Sequence, residues 1–79
     1  MKSSNAEIRY SMLIKWSDID DAFLVTLAEW EGRIFNPVTH GASYDEAVQN
    51  GKLALEDLVA LTLERGGVLP NPQYQEVAA

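Results

Sequence analysis

Residues 39–65 constrain this chain more than any other stretch. They read as a single long helix entered from a short strand. Ser43 fits the N-cap, because its hydroxyl can accept from an amide that the first turn leaves unpaired. Glu46 follows three residues later and completes a capping box. Asp45 and Glu46 suit the positive end of the helix dipole, and Arg65 suits the negative end. Gly66-Gly67 supplies a residue able to take the left-handed stop. Tyr44, Ala47, Val48, Gly51, Leu55, Leu58 and Val59 recur at helical spacing and form an apolar stripe that something must cover. Gly51 costs about 1 kcal/mol relative to alanine inside a helix. That cost is expected to be repaid by close approach of a strand or a second helix.

The rest of the chain must supply the cover. Residues 8–16 alternate, with Ile8, Tyr10, Met12, Ile14 and Trp16 on one face of a strand. The run Ser17-Asp18-Ile19-Asp20-Asp21 reads as a turn, since Asp and Ser side chains bond to nearby backbone. Residues 22–27 form a second strand, antiparallel to the first. Residues 33–37 are irregular, and Asn36-Pro37 favours a turn. A short third strand over residues 38–41 leads into the helix. Residues 68–72 can be extended, but Pro70 and Pro72 cannot donate to a ladder, which confines them to an edge strand. The expected fold is therefore α+β in the order β-β-β-α-β: a small, mostly antiparallel sheet with one long helix on one face. One domain with a core over residues 8–72 is expected, flanked by loose arms at 1–7 and 73–79.

A chain of 79 residues buries little surface and is marginal alone. It has no cysteine and one histidine, so neither a disulfide nor a thiolate or multi-histidine metal site can support it. Help from a second subunit is expected. Leu53, Ala54, Ala60, Leu61 and Leu63 lie off the main helical stripe, and Leu53, Ala60 and Leu61 are the candidate self-association residues of a dimer or tetramer. No apolar run is long enough to span a bilayer, and the N-terminus lacks a signal-peptide core. A cytoplasmic protein is expected. The net charge of −6 disfavours general nucleic-acid binding and suits a basic partner.

Few residues offer chemistry. Asp18, Asp20 and Asp21 could in principle hold Mg²⁺ for phosphodiester cleavage. Three aspartates in one turn cannot surround a metal unaided, and a solvated turn explains them better. His40 is a lone histidine without an obvious partner, so a structural role is expected. Gly32, Gly41 and Gly51 lack the spacing of a phosphate loop. No cofactor is expected. Trp30 stands between acids and is equally suited to an exposed interface anchor or to folding back over the sheet.

Three motifs in order resemble HicB-type antitoxins. Ala22-Phe23-Leu24-Val25-Thr26-Leu27 after an acidic turn is similar to that family's second strand. Thr39-His40-Gly41-Ala42-Ser43-Tyr44-Asp45-Glu46-Ala47 is similar to its T-x-G-x-[ST]-x-x-E-A helix start. The segment from Gly66 to Pro72 resembles its closing G-x-x-[IL]-P-x-P. The resemblance covers roughly residues 8–72. It implies a truncated RNase H-like fold and an antitoxin without catalysis. The implied partner is a HicA-type toxin, a small basic ribonuclease that cleaves mRNA. An acidic surface made of Asp18, Asp20, Asp21, Glu29 and Glu31, with Trp30 as apolar anchor, would meet the toxin's basic RNA-binding face. The alternative is a self-associating structural or regulatory module of the same fold with no toxin partner. Two departures from the family pattern stand out. The sequence ends soon after Pro72, so no appended DNA-binding module and no direct operator binding are expected. The family's P-x-L-P-G-C segment is replaced by Ala28-Glu29-Trp30-Glu31-Gly32 and a longer link to Val38.

Overall fold

A computed structural model describes residues 9–72. Three strands, β1 (Leu13–Ser17), β2 (Ala22–Thr26) and β3 (Thr39–Gly41), form an antiparallel meander, and α1 (Tyr44–Glu64) crosses one face of it. A single 3-10 turn, Ala28–Trp30, follows β2. The architecture is thus a small α+β unit of order β-β-β-α. The expected arms and Ile8 lie outside the described residues.

Alternation in the strands decides which face meets the helix. Ile14 pairs with Val25, and Val25 with Thr39; Trp16 pairs with Phe23, and Phe23 with Gly41. These residues share the helix side. Val25 and Leu27 are fully buried there with Ala47, Leu55 and Trp30. Ile14, Phe23, Leu58 and Val59 pack around them. On the opposite face stand Leu13, Lys15, Leu24 and His40, and no described element covers it.

Helix α1 begins and ends where its caps place it. Ser43 Oγ accepts from the amide of Glu46 at 3.1 Å, and the Glu46 carboxylate reaches back to accept from the amide of Ala42. The box therefore closes one residue earlier than the usual reciprocal pair. At the other end Gly66 takes φ +72°, the amide of Gly67 donates to Thr62 O at 2.8 Å, and that of Gly66 donates to Leu63 O. This is a Schellman stop. Gly51 is buried against the sheet. A Cβ placed there would lie 2.5 Å from Met12 Sδ and 3.2 Å from Val25 Cγ1. The lost helix propensity is thus exchanged for a close helix–sheet contact.

Three expectations are corrected. The first strand begins at Leu13 rather than residue 8. Arg9 to Met12 leaves the ladder because the Ser11 amide is taken by the Glu29 carboxylate, at 3.0 and 3.2 Å. There is no fourth strand at residues 68–72. Pro70 and Pro72 have no N–H to give, so side chains hold the segment by its carbonyls: Tyr10 Oη donates to Pro70 O at 2.6 Å, and Arg33 donates to Val68 O at 2.7 Å. Tyr44 is exposed, because the first turn of α1 overhangs the end of the sheet; its ring lies 4.3 Å from that of Phe23. Trp16 packs edge-on against Phe23 at 5.0 Å but stays half exposed at the same end.

The link from Gly32 to Val38 substitutes for strand pairing. Asn36 forms a two-point contact with Leu27, accepting from its amide at 3.1 Å and donating to its carbonyl at 3.3 Å. The side-chain amide thereby continues the ladder beyond Thr26, where no strand among the described residues does so.

Burial raises the pKa of Tyr10 above its ordinary value near 10; the neighbouring Glu29 charge adds to the rise and Arg33 partly opposes it. A raised folded-state value favours the neutral phenol in the native protein. Its contribution to stability is complete below the unfolded pKa and is lost as pH rises through the folded one. Urea midpoints are therefore expected to fall above about pH 10. In Tyr10→Phe the decline should be shallower, because no phenol remains there to ionise.

Candidate partner-binding surface

The β1–β2 turn projects three aspartates into solvent. Asp18, Asp20 and Asp21 are all exposed, and Ile19 between them is 95% exposed. Local bonds give the turn a fixed shape. Asp18 accepts from Trp16 Nε1 at 2.6 Å, and Asp20 accepts from Ser17 Oγ at 3.0 Å. The amide of Asp20 donates back to Ser17 Oγ, and Asp21 takes φ +54°. The aspartates are thus a solvated, self-bonded turn, as their spacing suggested. Among the described residues, no group of three or more His, Asp or Glu side chains could hold a metal ion.

A shallow depression of about 360 Å³ adjoins the turn on the open sheet face, lined by Asp20, Ala22, Leu24 and His40. His40 is exposed, and its carbonyl accepts from Asn50 Nδ2 at 2.7 Å. This bond ties β3 to α1 through the backbone and does not involve the imidazole.

The structure does not assemble the acidic surface read from the sequence. Glu29 is only 7% exposed, and its carboxylate accepts from both the amide and the hydroxyl of Ser11. Burying a carboxylate is costly without such donors. Trp30 is 2% exposed and belongs to the core, edge-on to Tyr10 at 5.5 Å. The 3-10 turn causes both changes. The Trp30 amide donates to Leu27 O, which brings the indole round to the same inner side as Leu27. Neither residue offers a partner any surface. Glu31 is exposed, but it follows Trp30 at the opposite end of the molecule from the turn.

That opposite end carries a second feature. A cleft of about 180 Å³ lies between the last turns of α1 and the segment after the 3-10 turn. Ile34, Leu58 and Leu61 line it above Trp30; Arg33, Thr62 and Arg65 supply its polar part. The Arg33 guanidinium sits 5.8 Å from the Trp30 ring centre, and Trp30 Nε1 is buried with no hydrogen-bond partner among the described residues. Of the three self-association candidates, Leu61 borders this cleft, while Leu53 and Ala60 are exposed on the helix. Sequence reasoning passed over Ile19, Arg33 and Arg65. The available signal for Ile19 was a bulky apolar residue inside an acidic turn, where no strand partner could bury it.

No described helix is long and apolar enough to cross a membrane. No family model, curated protein or solved structure matches the chain.

Proposed function

We propose that this chain is a HicB-like antitoxin domain of the cytoplasm that binds and neutralises a small, basic, mRNA-cleaving toxin of the HicA type. The observation that carries the reading is the rigid turn in which Asp18 and Asp20 flank a fully projecting Ile19. A ribonuclease must present a positive surface to RNA, and a fixed cluster of carboxylates is its electrostatic complement. The helix start, Thr39 to Ala47, and the β-β-β-α order are compatible with this family's truncated RNase H-like fold. Neutralisation would be steric: the turn occupies the RNA-binding surface, and no chemistry is required of the antitoxin. The contact set is Asp18, Ile19, Asp20 and Asp21; Glu29 and Trp30 are excluded by their burial.

The test is RNA cleavage by a cognate HicA-type toxin at increasing antitoxin. Cleavage should stop near equimolar protein. Asp18→Asn with Asp20→Asn keeps the local hydrogen bonds and removes two charges. It should weaken inhibition by about 10–100-fold, with most of the loss in association rate and at low salt. Undiminished cleavage at excess wild-type protein would refute the reading.

One observation favours a second reading, a self-associating module without a toxin. Leu53, Leu61 and Leu63 are large and exposed along one helix. They are spread around α1 rather than set in one row, and a second copy covering any of them would enlarge a small core.

A further inference from the structure

The turn and the cleft are complementary in charge, and one is convex where the other is concave. The turn is an aliphatic side chain, 95% exposed, bracketed by carboxylates. The cleft is an aliphatic notch flanked by guanidinium groups. Two of the six cationic residues of an acidic chain line this one cleft, while the exposed acids Glu31 and Glu64 do not. Its volume, about 180 Å³, falls below that of pockets that enclose a metabolite and suits one or two side chains.

One copy cannot join the two features internally. The turn stands by the first residue of α1, through the Trp16, Phe23 and Tyr44 rings. The cleft stands by the last two turns. A helix of 21 residues separates them by about 30 Å.

We propose that the cleft receives the β1–β2 turn of a second copy of this chain. Ile19 enters the notch between Leu58 and Leu61, and Asp18 and Asp20 meet Arg33 and Arg65. Arg33 is already held in place by its bond to Val68 O, and the turn by its own bonds, so little ordering remains to oppose association. The contact is head-to-tail. The contact joins unlike surfaces, so it closes either as a two-fold pair in which each turn fills the other's cleft or, one-way, as a ring or short filament. This inference does not depend on the toxin reading. Where both hold, assembly and toxin capture use the same turn and exclude each other.

Sedimentation of the protein alone tests it, with no toxin present. The wild-type mass should rise with concentration at low salt and fall back toward the monomer at about 0.5 M salt, where the charge pairs are screened. Two variants isolate the two ends. Asp18→Asn/Ile19→Ser/Asp20→Asn disables the turn, and Arg33→Glu/Arg65→Glu disables the cleft. Each should be monomeric alone and melt as a folded protein. Mixed, they should form a 1:1 pair and nothing larger, since only one intact turn and one intact cleft remain. If the Arg33 change unfolds the chain, Arg65→Glu alone serves, with association expected to weaken at least tenfold. A monomeric wild type at millimolar concentration would overturn the proposal. So would association untouched by either variant, lost only on Leu53→Ser, or absent from the mixture.

Discussion

Trp30→Ala is expected to destabilise the domain by about 3–5 kcal/mol, the usual loss for a fully buried large aromatic. The whole stability of a chain this size is about 4–12 kcal/mol. Thermal melting by circular dichroism should therefore show either a fall of some 15–30 °C or no cooperative transition. The cause lies in what the indole supports. It is 2% exposed, stands edge-on to Tyr10 and forms the floor beneath Arg33. Removing it leaves a cavity under the 3-10 turn and frees the segment that positions the Glu29 carboxylate. Trp30→Phe should cost much less. It keeps most of the apolar contact and removes an N–H that has no partner among the described residues. An interface anchor would behave differently: Trp30→Ala would melt like the wild type and only bind a partner more weakly. That result would place the indole on the surface and remove the floor of the cleft.

The misplacement of Trp30 and Glu29 shows where a sequence stops being informative. Both stand in a polar run, where the local pattern suggested exposure for Glu29 and left Trp30 equally suited to an exposed anchor or to folding back over the sheet. The burial of Glu29 is supported by Ser11, eighteen positions earlier, which supplies donors that make a buried carboxylate tolerable. No local periodicity encodes that pairing. One sign was present: Leu27 and Trp30 are three apart, the spacing that a single 3-10 turn brings to one side. Asn36 poses the same difficulty, since its two bonds to Leu27 look like nothing but a turn residue in the sequence.

The helix was legible for the opposite reason. Its signals are local: a hydroxyl three residues before a carboxylate, a glycine pair at the end, and apolar residues at a fixed period. Ala47, Gly51 and Leu55 are accordingly its buried line. Only Tyr44 escaped the pattern, because periodicity tells which way a residue faces and not whether the sheet extends far enough to cover it. The absent fourth strand follows a similar rule. Two prolines were compatible with an edge strand, yet the described segment is bonded through its carbonyls alone. For the candidate site, the sequence identified the acidic turn, but the cleft joins residues from 30 to 65 and exists only once the helix is laid across the sheet.

Gly41→Ala is expected to be as damaging as any core truncation, though it adds only one methyl group. Gly41 is buried at the end of β3, and its φ is not in the left-handed region, so conformational freedom is not the issue. Space is. A Cβ there would collide with the backbone nitrogen of Ala47 and lie 2.8 Å from both Ala47 Cα and the carbonyl carbon of Glu46. At Gly51 the nearest obstacle is the flexible tip of Met12, which can turn aside; at Gly41 it is the first turn of the helix itself. Relief requires the start of α1 to lift from the strand. That would disturb the bonds that Glu46 makes around Ser43 and the Asn50–His40 tie. Overpacking usually costs about 1–3 kcal/mol, and a clash with backbone belongs at or above the upper end. A loss of about 3 kcal/mol or more is expected in urea unfolding, with hydrogen exchange accelerated first at the amides of residues 45–50. Gly51→Ala, where about 1 kcal/mol of helix propensity offsets a softer clash, should lie much closer to the wild type. Equal stability of Gly41→Ala and wild type would mean that β3 and the helix start do not touch, and the helix would then have to approach the sheet along a different line.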